Sequence, residues 1–516
     1  MSAAHPERVL AAAARALHWE TLPPETRASI QRLFLDWVGS ALAGAPSDSV
    51  RMIERVVGGQ GVSAGTPSGG DRPPGTATVL TTFSGVAPLT AALINGAASH
   101  VVEMDDLHNA SIYHPATCVF PALLAAAETA AATPSRFLAS AVAGYEVSIR
   151  VGEALGPEHY VYFHTTGTAG AIGAAVAVGH LLGLDEQRLL WAMGSAATQA
   201  AGLWQFLAEG SMSKPLHTAK AAYNGALAAY LAEQGFTGPE HSLCGDRGLL
   251  AATTPAGALA GGTAYDDALK HEQLTRLLTG ITDGADASTH VFAEFKTPGV
   301  SIKYHASCRH THSSVDALLA LLREHALAAD DLQGIRAHVY TGAYELLKDV
   351  VPSTPWAAKF NVPFCLAQAA LLGRLSLDAF TEEALTDPRV VQLMNRVSLS
   401  VDPSLDEAYP RFWPALVEVE TTDGKRYACR VDTPKGDPEN PVTDAELDAK
   451  FLLLASGTLS GDDPGRLLAR LRTLESLTDM TQLFAGITES RPGGASERSA
   501  RLEPAGPSRG GSGPGS

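Results

Sequence analysis

The sequence predicts a mainly α-helical protein in which a smaller α+β region separates two helical stretches. Three observations carry this. From about residue 6 to residue 292, Ala, Leu and Gly fill helix-length blocks with little of the β-branched alternation that strands need. From about residue 299, apolar and polar residues alternate over 334–340, 397–401 and 415–431. After Pro441 the helical period returns.

In chain order, residues 24–42 read as a helix opened by Pro23 and Pro24, and 135–155 as one capped by Thr133 with Pro134 in its first turn. Small residues along 167–183 and 219–232 let helices approach closely. Residues 58–78, rich in Gly, Pro, Ser and Thr, are expected to form a long surface loop. Asp423-Gly424 marks a hairpin within 415–431. Thr443 and Glu446 form a capping box for the helix that follows, and 489–516 has the composition of a disordered tail.

The 516 residues exceed one domain of roughly 100 to 200 residues. With 38 basic against 55 acidic side chains the net charge is -17, which argues against nonspecific binding to nucleic acid or an anionic membrane. An anionic substrate therefore needs a local basic pocket. Cys118, Cys244, Cys308, Cys365 and Cys429 are scattered without a CxxC pair, so neither a disulfide framework nor a zinc ribbon is expected, and a cytoplasmic setting is. The N-terminus lacks a secretory pattern. The most apolar segment, 170–184, is shorter than the roughly 20 residues of a membrane span and carries His180, so it is expected to be a buried helix.

Four segments concentrate chemistry. The first runs from Asn95-Gly96 through His100, Glu103, Asp105, Asp106, His108 and His114-Pro115. Carboxylates followed by imidazoles suit metal ligation, proton shuttling or simple turn capping, and spacing alone leaves these open; no HExxH or EF-hand spacing fixes a coordination geometry. The second, His164 to Gly170, places Thr166, Gly167 and Thr168 at a helix start, where free N–H groups favour an anion; on this segment alone an ordinary capped, closely packed helix is the preferred reading. In the third, Pro215 suits a first helical turn and puts Lys214 at the helix entrance. The fourth, Lys303-Tyr304-His305 with Cys308-Arg309-His310-Thr311-His312, lies where the α+β region begins, a common place for a cleft, and Arg309 can clamp a carboxylate. Cys308 beside histidines also invites a thiol-nucleophile reading, without any cysteine-protease signature.

Taken in order, these segments resemble the MmgE/PrpD family. The residues that carry the likeness are Asn95-Gly96, Glu103-Met104-Asp105-Asp106, His114-Pro115, His164 to Gly170, Lys214-Pro215-Leu216, and Cys308 to His312 followed by Asp316-Ala317. The resemblance implies one helical domain made from both ends of the chain (1–293 and 434–488), an inserted α+β lid (294–433), an active site between them, a homodimer, and catalysis without metal or organic cofactor. It places Glu103, His114, His164 and Lys214 as catalytic groups. Thr166, Gly167, Thr168, Lys303, Cys308, Arg309, His312 and Phe364 are the expected substrate-binding residues. Three positions depart from the family: Glu103 stands where Asp is usual, Cys308 where the decarboxylases carry His, and Phe364 where Tyr is expected.

The activity so implied is proton transfer next to a carboxylate of a small di- or tricarboxylate. Loss of water, as in a 2-methylcitrate dehydratase, is the first expectation. Decarboxylation of the cis-aconitate type, epimerisation of a dicarboxylate such as iminodisuccinate, and noncatalytic carboxylate binding are the alternatives.

Overall fold

The Ala-rich blocks fold into the helices Pro6–Arg15, Pro24–Gly44, Pro88–His100, Ala116–Thr129, Pro134–Tyr160, Thr165–Leu182, Glu186–Ala197 and Lys214–Glu233. The computed structural model describes residues 5–58, 73, 75–253 and 292–488. Most of the loop expected over 58–78 and all of the tail 489–516 lie outside the described residues. Pro6, Pro24, Pro88, Pro134 and Pro215 each occupy a first helical turn, where a missing N–H leaves no bond unmade. Thr133 caps its helix by accepting from the Arg136 N–H. That helix passes the expected end at residue 155, breaks at Gly156 (φ 70°, ψ -176°) and resumes with Pro157 to Tyr160.

Thr165–Leu182 is the central helix, flanked by Pro134–Tyr160 and Lys214–Glu233. It is 18 residues long and apolar enough to cross a membrane, five residues longer at its N-terminus than the sequence suggested, so length does not exclude a span. It packs as a core helix does: 89% of it is buried inside the protein. Close packing depends on small residues, since a Cβ at Gly225 would stand 2.5 Å from the Ala171 carbonyl oxygen. The same approach brings the starts of the two helices, at Thr165 and Lys214, into one region.

The last helices return to the first. Asp444–Ala455 opens on the capping box, with the Glu446 N–H donating to Thr443 Oγ1 at 3.2 Å and the Thr443 N–H to Glu446 Oε2 at 2.7 Å. It packs on Pro24–Gly44, and Leu447 and Phe451 join the same apolar core as Leu33, Phe34 and Trp37.

Between them, four strands run in the order Val397–Val401, Leu332–Val339, Ala415–Thr421, Arg426–Val431. The first pair is parallel and the others antiparallel. The last two form the hairpin, with Gly424 at φ 81° supplying the left-handed turn. Ala415–Thr421 alternates buried and half-buried side chains, and the helices His312–Glu324 and Val362–Leu372 cover the sheet. Val315, Leu318, Ile335, Leu366, Val417 and Val419 make this a second core. A short antiparallel ribbon, Leu107–His108 with Val300–Ser301, ties it to the chemistry-bearing turn after His100.

Candidate active site

The helix Pro88–His100 delivers the chain into a turn at Val102-Glu103-Met104. Glu103 lies at φ 59°, a left-handed conformation that costs a residue with a side chain on the order of 1 kcal/mol. Buried ammonium groups hold it there. Lys359 donates to the Val102 carbonyl at 2.7 Å, Lys303 to that of Glu103 at 3.1 Å and Lys450 to that of Met104 at 2.8 Å. The Glu103 carboxylate is itself shared, Lys303 binding Oε2 at 3.0 Å and Lys214 binding Oε1. Burial alone would raise the carboxyl pKa, but Lys214 and Lys303 outweigh it and hold Glu103 well below the usual carboxylate range. Lys359 is pushed down by burial to about 7, with Glu103 pulling against that fall. Lys214 also lies 4.9 Å from the centre of the Phe360 ring.

Beside this charge cluster stands a row of imidazoles. Asp105 Oδ2 receives His100 Nδ1 at 2.9 Å and His114 Nδ1 at 2.8 Å, while His114 Nδ1 is also 2.6 Å from the Asp106 carbonyl. Facing two acceptors, His114 Nδ1 carries the proton, and Nε2 is left as the basic nitrogen. His164 stacks on His100 with centroids 5.4 Å apart, and its Nδ1 is 3.3 Å from Nδ1 of His217. Burial drives His114 down to about 4 despite Asp105, and drives His164 well below its usual value. Asp105 runs the other way: burial would raise it, but the two imidazoles hold it below the carboxylate range. Asp105 is the ionised partner of the pair and His114 the neutral one.

His100, Asp105 and His114 have metal-ligand chemistry in mutual reach. Nδ1 of both imidazoles and Oδ2 of Asp105 are spent on one another at hydrogen-bond distances, and His114 Nδ1 has a second acceptor, whereas His100 Nε2 and Asp105 Oδ1 are buried without a hydrogen-bond partner among the described residues. The group is a hydrogen-bonded relay. Asp106 serves the frame: it accepts from the Ala116 N–H and the Tyr145 hydroxyl, and burial raises its pKa well above the usual value. The cluster is deeply buried, with Glu103, Lys303 and His164 each at most 1% exposed, and reaches solvent at His114, 8% exposed. A surface cavity lined by Arg15, His18, Trp19, Arg136 and His180 contains none of these groups.

The MmgE/PrpD N-terminal domain matches residues 8–260, and the MmgE/PrpD C-terminal domain matches residues 305–474. The chain belongs to the MmgE/PrpD family. Similar curated proteins include a cis-aconitate decarboxylase-like protein, oryM, of Aspergillus oryzae, 29% identical over 78% of this chain and 82% of its own length. A cis-aconitate decarboxylase of Aspergillus terreus is 27% identical over 80% and 84%, and that of Homo sapiens 26% over 77% and 78%.

Within this MmgE/PrpD fold, the structure gathers Glu103, Lys214 and Lys303 in one charge cluster and His114 and His164 beside it. It places the other named residues differently. Arg309 has its guanidinium on the buried Asp437, which also accepts from Ser301 and Asn109, so the expected carboxylate clamp is already filled by an internal carboxylate. His312 is used at both nitrogens, by Arg309 at 3.2 Å and by the Ser307 carbonyl at 3.2 Å. Thr166 Oγ1 accepts from the His114 N–H at 3.3 Å, and Thr168 Oγ1 sits between His159 and the Thr165 carbonyl. A Cβ at Gly167 would lie 2.4 Å from the Ala201 carbonyl oxygen. This segment thus seats His114 and packs a helix start. Burial raises the Cys308 pKa, which leaves it a thiol and not a nucleophilic thiolate. Phe364 is capped by Asn361 and packs towards Phe380 in the second core.

Sequence reasoning missed Lys359 and Lys450, and left His100, Asp105 and His217 unassigned. It also missed Trp204, whose ring lies 4.9 Å from those of both His164 and Tyr160.

Proposed function

We propose that this MmgE/PrpD protein is a carboxy-lyase that removes CO2 from cis-aconitate or a closely related unsaturated tricarboxylate. The observation that carries the reading is the pairing of a fixed proton carrier, His114 held by Asp105, with the Lys214 and Lys303 charges in a water-poor site. The curated relatives support loss of CO2 over loss of water, since the three compared above bear cis-aconitate decarboxylase names.

The substrate is bound through its carboxylates near Lys214. The bond to one carboxylate breaks heterolytically, CO2 departs, and the electron pair remains on the adjacent carbon. Lys214 stabilises this negative charge as it spreads into a remaining carboxylate. His114 or His164 then delivers a proton to carbon and is reprotonated from solvent, so one proton is consumed per turnover. Burial keeps His114 neutral in the free protein; a bound polyanion raises its pKa and prepares it as the acid. A positioned acid supplies about 10² to 10⁴ in rate and a preorganised charge about 10² to 10³, so the two act together.

The test is mass spectrometry of purified protein with cis-aconitate, with CO2 measured in parallel. The expected result is CO2 release with a product lighter by the mass of CO2. Gain or loss of water without CO2 would replace this reading with a hydro-lyase. Deuterium uptake from D2O as the sole change would replace it with an epimerase, and saturable binding without turnover with a binding homologue.

A further inference from the structure

A second cluster of ligating groups lies outside the chemistry described so far. His5 precedes the helix Pro6–Arg15, Glu7 is in its first turn, and His241 lies in the segment after Lys214–Glu233. Potential ligand atoms of the three all lie within 4.8 Å of one another, and the two imidazole centroids are 3.8 Å apart. Both histidines are exposed, whereas Glu7 is 1% exposed.

The Glu7 carboxylate is half used. Oε1 accepts from the Leu243 and Cys244 N–H groups at 3.1 and 2.8 Å, which fixes its position. Oε2 is buried with no hydrogen-bond partner among the described residues. The Cys244 thiol donates a weak hydrogen bond to the same carboxylate. Buried polar atoms normally find partners, so an orphaned carboxylate oxygen next to two imidazoles points to a cation. Arg8 does not fill that role, since its guanidinium is engaged by Glu186, Glu240 and Gln187.

We infer that His5, Glu7 and His241 form a zinc-class metal site with two imidazole nitrogens, one carboxylate oxygen and a fourth position open to solvent. This donor set is that of a tetrahedral zinc ion, and imidazole favours zinc over calcium or magnesium. His5 and Glu7 precede residue 8, where the family match begins. Its effect is structural: the ion staples the first helix to the segment of residues 241–245. It lies apart from the His100, Asp105 and His114 group of the candidate active site.

The experiment is zinc titration of the full-length, tag-free, chelator-stripped protein by calorimetry, with metal content and thermal unfolding measured alongside. One zinc per chain is expected, with a midpoint of unfolding that rises on zinc addition. His241→Ala and His5→Ala should each weaken binding by at least about tenfold, since even groups outside a metal's ligand set cost 10- to 100-fold. Both are exposed, so folding is retained, where Glu7→Ala also removes a loop cap. His100→Ala should leave binding unchanged. Absence of stoichiometric binding overturns the site, as does binding that survives both surface-histidine variants.

Discussion

Glu103→Gln removes one charge from the centre of the lysine cluster while keeping side-chain shape. In the wild type the carboxylate balances Lys214 and Lys303, all three buried. Deleting one partner of a buried ion pair costs about 3–5 kcal/mol, because the remaining charge is left without water or counter-ion. Here two ammonium groups lose their counter-ion, though Lys303 keeps the Glu103 carbonyl, so about 3–5 kcal/mol is expected for the variant. Glu103→Asp keeps the charge but withdraws it by one C–C bond, about 1.5 Å, too far to hold both lysines; an intermediate loss of about 1–3 kcal/mol follows. Urea denaturation at neutral pH, with turnover measured on the same samples, reads both. The Glu103 pKa is depressed in the folded state, so its contribution is present above its ordinary value of 4.5 and lost as pH falls below it; the gap between wild type and Glu103→Gln should close in that acid range. A Glu103→Gln protein within about 1 kcal/mol of wild type at neutral pH would refute the ion-pair argument.

His114→Ala, His164→Ala and Lys214→Ala should each lose at least about 10² in turnover with circular dichroism unchanged; near-wild-type turnover removes that residue from the mechanism. Asp106→Asn should gain on the wild type in thermal or urea unfolding as pH rises above about 3.8, because the raised Asp106 pKa makes wild-type stability fall as pH climbs from that value towards the folded pKa whereas the amide does not titrate; a pH-independent difference would contradict the shift. Lys359 falls from 10.5 to about 7, so its burial cost is present in full below about 7 and recedes as pH rises towards 10.5. Lys359→Met should therefore compare best with wild type near pH 6 and worse near pH 9 in unfolding experiments; a pH-independent difference would contradict the shift.

Local signals carried much of the fold. The Thr443 and Glu446 capping box and the Asp423-Gly424 turn stand where their side chains and φ requirement put them. The central helix begins at Thr165, and the Thr166 and Thr168 hydroxyls bond within the protein, so the segment read as a helix start folds as the first helical turn. The site was legible where several ionisable groups fall close together, as from His100 to His114. It was illegible where partners are far apart: Arg309 finds Asp437 across 128 positions, and no feature of residues 305–312 announces that pairing. Lys450 did leave a trace, a lysine between Leu447, Phe451 and Leu454 on the apolar face of its helix. Lys359 stands alone in an apolar stretch, which reads equally as a solvated charge.

The lysines on the Val102-Glu103-Met104 turn come from separate parts of the polypeptide: Lys303 and Lys359 from the sequence around the sheet, Lys450 from the last helical stretch, and Lys214, on the carboxylate, from the first. The strained turn is thus a coincidence detector for assembly. A nascent or clipped chain missing any of these contributors lacks a clamp on the carboxylate's backbone or the charge it faces, so competence for chemistry arrives only when the whole fold has closed upon that one residue.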